Sequence, residues 1–216
     1  MIGETMAIAL ILIYSFVIVA HLYFCYFGNE PLRKITKLLL MPLLLTVYCI
    51  ATESIALGIV IALCAGFLGD LFLLKVDETN YFMIGLSCFL IGHIFYISSI
   101  LKNAQWNIVQ YAIILVVMLI ALLFMYRYLI RRMPKNLQVS GLVYMFALLC
   151  LFGSSFIVFW QNPSTTYTML VIGALMFCLS DFLLAKSTFL GKIKNENFYI
   201  MITYIAAQTL IVVSFM

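Results

Sequence analysis

The chain has 216 residues, 66% of them apolar and 9% charged, with a mean hydropathy of +1.19 and a formal net charge of +4. A soluble domain of this length needs a polar surface that such a composition lacks. The excess of cations is not a nucleic-acid footprint either, because no polar folded unit surrounds it. Two histidines and six singly scattered cysteines, with no CxxC spacing, suggest neither a redox pair nor a zinc site, so no cofactor and no resident metal is expected.

Apolar runs of about 20 residues span a bilayer as helices. Eight are read in chain order: roughly 6–27, 35–51, 54–74, 80–101, 107–129, 137–160, 166–185 and 198–216. The joints are short and carry breakers or charges, among them Gly28 to Pro31, Asp77 to Asn80, Arg131 to Lys135 and Gln161 to Pro163. The expected fold is therefore all-α, a polytopic membrane bundle of eight transmembrane helices, with residues 1–216 forming a single integral membrane domain. The first span lacks a basic n-region and a small-residue cleavage site, and is read as a retained helix. All lysines and arginines except Lys102 fall on one side of this arrangement. The positive-inside rule then places that side in the cytoplasm and both termini outside it, in the cell inner membrane.

Two acids stand out against this background. Asp70 lies in the third span and Asp181 in the seventh, each five residues ahead of a lysine, Lys75 or Lys186. A carboxylate at bilayer depth costs about 2.5–3.5 kcal/mol even on the lenient insertion scale. The segments Gly69 to Lys75 and Ser180 to Lys186 match at a constant offset of 111 residues (70 to 181, 75 to 186), which also carries His93 onto Tyr204. This suggests a weak parallel internal repeat of helices 3–4 on helices 7–8. Both acids would then sit at one depth, about 7.5 Å from the lysine at the membrane edge. Lys37, His93, Tyr96, Tyr204 and Gln208 are placed to converge with them on one polar cavity. His21 reads instead as a hydrogen-bonded residue of the bundle. Gly66, Gly69, Ala174 and Cys178 beside the acids permit close helix approach.

Two carboxyls close together cannot both ionise easily, so one holds a proton while its neighbour stays charged. That pairing supplies a general acid and a general base for hydrolysis of an acid-sensitive bond. Two histidines cannot furnish a three-histidine zinc site, and no GxSxG marks a serine hydrolase. An intramembrane aspartyl protease also needs two aspartates, but its GxGD signature is only approximated at Gly66 to Asp70. A proton-coupled transporter is a further reading, since buried acids also carry protons.

Thr36-Lys37 through Pro42, Gly69-Asp70, Gly92-His93 with Tyr96, Ser180-Asp181, and Tyr204 with Gln208 stand in the order and helices of the YhhN family, which the chain resembles over nearly its whole length. One departure is Leu38 after Lys37, where the family pattern has proline. The resemblance implies a lysoplasmalogenase, an eight-helix membrane enzyme. It would cleave the vinyl ether of lysoplasmalogen (1-alkenyl-glycerophosphoethanolamine or -choline) to a fatty aldehyde and a glycerophospho-headgroup. Its partners would be this lysophospholipid substrate and the bilayer, with no nucleic acid. Joined to the residue chemistry, the resemblance makes Asp70 and Asp181 the catalytic pair. Lys37, His93, Tyr96, Tyr204 and Gln208 would bind substrate or position water. Arg33, Lys34 and the cations from Arg127 to Lys135 are the candidates for the phosphate.

Overall fold

The structure, a computed structural model, describes residues 2–76 and 78–216. Asp77, in the joint after the third span, and Met1 lie outside the described residues. The described residues form eight α-helices, α1 (Ile2–Phe27), α2 (Glu30–Ala51), α3 (Leu57–Phe72), α4 (Thr79–Leu101), α5 (Ile108–Tyr128), α6 (Lys135–Gln161), α7 (Thr165–Leu190) and α8 (Glu196–Val213), each long and apolar enough to cross a membrane once α3 is counted with the 3-10 turn Leu73–Lys75 that continues it. Backbone groups have no water to bond with in a bilayer core, so helices that satisfy them internally are the expected solution.

The boundaries move where capping chemistry decides them. α2 begins at Glu30, not near 35, because the Asn29 side chain accepts from the Leu32 amide and Pro31 fits the first turn. Arg33 and Lys34 therefore ride on the helix itself. α7 runs to Leu190 rather than 185, since no breaker intervenes before Gly191, whose φ of 126° only glycine adopts readily. α3 starts at Leu57, three residues later than the hydropathy suggests, and α8 stops at Val213.

Packing sorts the helices into two groups. α2, α3, α4, α6, α7 and α8 each contact the next, and α8 returns to α2, so six helices close into a ring. α1 packs outside against α2 and α8, and α5 outside against α6. The outer pair shows it in its surface: Leu12, Phe16, Val116 and Ile120 are exposed, as suits helices that face acyl chains. Tyr23, Tyr26 and Trp160 are exposed near span ends, where interfacial aromatics belong.

In the ring order α3 stands opposite α7, and α4 opposite α8. Glycines let the neighbours α3 and α4, and α7 and α8, close up. A Cβ on Gly92 would meet the Ala62 carbonyl at 3.3 Å, and one on Gly173 would meet the Ile211 amide at 3.0 Å. Such small-residue seams drive association where lipid offers no hydrophobic incentive.

Candidate active site

A cavity of about 430 Å³ opens between the ring helices and is lined by both Asp70 and Asp181. Leu86, Phe89, Ile130, Met133, Met145 and Met201 give it apolar walls. Arg33, Lys34 and Lys192 stand with Glu30 and Glu196 among the lining residues that come from the charged helix ends. The enclosure thus joins two carboxyls, a greasy wall and a cationic rim.

Asp70 is 2% exposed and is held from two sides. The Lys37 ammonium lies 3.2 Å from Oδ1, and the Tyr204 hydroxyl donates to Oδ2 at 2.8 Å. Gln208 Nε2 donates in turn to the Tyr204 oxygen at 3.4 Å, and the Tyr96 hydroxyl donates to Gln208 Oε1 at 2.6 Å. The chain is possible because Gly66 leaves room for it: a Cβ there would sit 3.3 Å from Gln208 Nε2 and 3.7 Å from the Tyr204 oxygen. Gly69, next to the acid, faces the Phe89 ring so closely that a Cβ would lie 2.6 Å from it. Phe89 and Phe177 then meet the Tyr204 ring edge to face, with centroids 5.9 and 5.7 Å away. The phenol that bonds Asp70 is therefore locked by aromatic packing.

Asp181 is only half-buried and takes one hydrogen bond, from the Tyr144 hydroxyl to Oδ2. Among the described residues it makes no ion pair. The internal repeat would lead to a different partner, because the counterpart of Tyr204 at offset 111 is His93. His93 sits on α4 with 1% exposure, and neither ring nitrogen has a hydrogen-bond partner in the structure. Its ring packs against Phe177 at 4.7 Å and Tyr144 at 5.3 Å.

Lys37 and Tyr204 thus line the cavity with the two acids. Tyr96 and Gln208 are not among its lining residues, and reach Asp70 only through Tyr204. His93 is not among them either. The cations from Arg127 to Lys135, expected at the phosphate, are also missing from the lining, and Arg132 lies over the Tyr128 ring instead, 5.2 Å from its centroid. The cation that sequence reasoning missed is Lys192, which stays exposed in the joint after Gly191 and still borders the cavity. The other omission is Tyr144. A depth argument would have found it, since it stands nine residues into α6 (144 − 135) as Tyr204 stands eight into α8 (204 − 196).

His21 is fully buried away from this cavity. Its Nδ1 lies 2.8 Å from Thr36 Oγ1, and Cys25 Sγ lies 3.4 Å from Nε2, so it ties α1 to α2. Among the described residues no group of three or more His, Cys, Asp or Glu side chains is placed to hold a metal. The site's chemistry as built is that of two carboxyls, two phenols and an ammonium. The family model for YhhN matches residues 32–215. No curated protein and no solved structure matches the chain.

Proposed function

The chain belongs to the YhhN family, and from that membership together with the two-carboxyl cavity we propose that it is a membrane-embedded hydrolase cleaving the vinyl ether of lysoplasmalogen. The observation that carries this reading is the meeting of Asp70 and Asp181, from opposite helices of the ring, in one cavity with apolar walls and a cationic rim. A lysolipid has the matching parts: a single acyl-like chain for the walls, a phosphate for Arg33, Lys34 and Lys192, and an acid-sensitive bond between them.

One carboxylic acid delivers its proton to the vinyl β-carbon, and the double bond's electrons leave an oxocarbenium ion at the α-carbon. The ionised partner stabilises that cation and takes a proton from the attacking water. The resulting hemiacetal collapses, with its hydroxyl proton passing to the departing glycerol oxygen. The products are a fatty aldehyde and glycerophosphoethanolamine or glycerophosphocholine. Under the positive-inside rule the rim faces the cytoplasm and both termini lie outside it.

The test is purified protein offered lysolipids that differ only in a vinyl-ether, alkyl-ether or ester linkage. Aldehyde should form from the vinyl ether alone, and in D₂O one deuterium should appear on the carbon beside the aldehyde. Ester cleavage, or aldehyde without that deuterium, refutes the reading. A proton-coupled transporter would show uptake into liposomes without covalent change, and an intramembrane aspartyl protease would cut a helical peptide and leave lipids intact.

A further inference from the structure

The hydrogen-bond geometry treats the two acids unequally. Asp70 receives donors at both oxygens: the ammonium of Lys37, which has no acceptor capacity, and the phenol of Tyr204. Behind Tyr204 every bond points the same way, from Tyr96 to Gln208, from Gln208 to Tyr204, and from Tyr204 to Asp70. Aligned donors polarise one another and favour negative charge at the end they point to. Asp181 has the single donor Tyr144 and, among the described residues, no cation, and it lines the cavity where a substrate would lie.

We infer that the two acids have separate, fixed roles: Asp70 is the carboxylate that stabilises the cation and activates water, and Asp181 is the proton donor. Tyr96 and Gln208 are positioning residues that act on Asp70 through Tyr204. The role assignment rests on the hydrolase reading, whereas the charge assignment beneath it does not. In the resting site the proton is on Asp181. It passes to the vinyl β-carbon, which leaves Asp181 ionised. Asp70 takes the proton of the attacking water, and after the hemiacetal collapses that proton moves to Asp181 to restore the starting state. No oxidant or co-reactant other than water is needed.

Asp70 faces Lys37 from α2 and Tyr204 from α8, and shares the cavity with Asp181 from α7. Asp181 faces Tyr144 from α6, shares the cavity with Asp70 from α3, and has Cys178 three residues back on its own helix. From α4, Tyr96 stands behind Gln208, and His93 lies against Tyr144 without a bond. Arg33, Lys34, Lys192, Glu30 and Glu196 line the same cavity toward its charged rim.

Two measurements test the assignment. Infrared spectroscopy of the full-length protein in detergent separates the C=O stretch of a protonated carboxyl from carboxylate bands. The doubly substituted Asp70→Asn/Asp181→Asn protein serves as the subtraction reference for the remaining acids. Along a pH series, the protonated band should persist to higher pH in Asp70→Asn, where Asp181 remains, than in Asp181→Asn, where Asp70 remains. Equal or reversed persistence overturns the assignment, and this readout needs no substrate.

The second measurement is the pH profile of kcat. Tyr96→Phe and Gln208→Leu should move the acidic limb toward neutral pH by up to ~1 unit, the size expected for weakening a hydrogen bond to a carboxylate. The alkaline limb should stay where it is. Movement of the alkaline limb alone means reversed roles, and no movement means that the chain is only structural. Either result defeats the inference. If the wild type releases no aldehyde at all, the hydrolase reading fails while the infrared result still decides which acid holds the proton.

Discussion

Replacing Lys37 by methionine removes the cation that pairs with Asp70 and leaves an unbranched side chain one atom shorter. At 3.2 Å the pair's attraction is about 5 kcal/mol for an effective dielectric of about 20. Much of that is offset by desolvation, so the intact pair adds little net stability. Removing one partner is different, because it strands a charge: broken buried pairs cost roughly 3–5 kcal/mol. Asp70 keeps the Tyr204 bond and borders a cavity, which places the expected loss at the low end, ~3 kcal/mol. The assay is reversible unfolding of the purified protein in mixed micelles, run on Lys37→Met, Asp70→Asn and the double variant. In the Asp70→Asn background no carboxylate is stranded, so Lys37→Met should then cost less than ~1 kcal/mol, a coupling of ~2 kcal/mol or more. The same cost in both backgrounds would mean that Lys37 and Asp70 do not interact, and that the pairing on which Asp70's charge depends is wrong.

Asp70→Asn and Asp181→Asn should each abolish vinyl-ether turnover while the protein still purifies as one species, and the double variant should be no worse, since the pair acts as a unit. More than a tenth of wild-type activity in either single variant would make that residue glue. His93→Leu should raise unfolding stability by ~1–3 kcal/mol, because a buried imidazole with no partner is exchanged for an apolar side chain in an aromatic pocket; a loss of stability would show that the ring nitrogens are satisfied in the membrane. Single cysteines introduced at Lys192 and Lys102, in a background freed of native cysteines, should react with an impermeant reagent from opposite sides of the membrane. Labelling from the same side would undo the span count and the common depth of the two acids.

How much of this could be read in advance differs from one feature to the next. The eight spans were legible because lipid leaves the backbone no alternative to long apolar helices. The same solvent made Asp70 and Asp181 conspicuous, each being an acid where burial is costly. Helix ends were harder: Asn29, Pro31 and Gly191 moved them by several residues through local capping, which hydropathy does not register. Nothing in the sequence marks Tyr144 among the other tyrosines of the spans, and only its bond to Asp181 distinguishes it.

The rotation of each helix about its axis was decided by tertiary packing alone. His93 was expected in the cavity, yet α4 turns it into the ring of Phe177 and Tyr144, as Gly92 seats that helix on the Ala62 carbonyl. Packing also points Asp70 on α3 and Asp181 on α7 into one cavity and leaves α1 and α5 outside the ring. Acyl chains are as apolar as leucine, so a lipid-facing stripe and a core-facing stripe carry the same residues, and a membrane helix's sequence tells its depth far better than its direction.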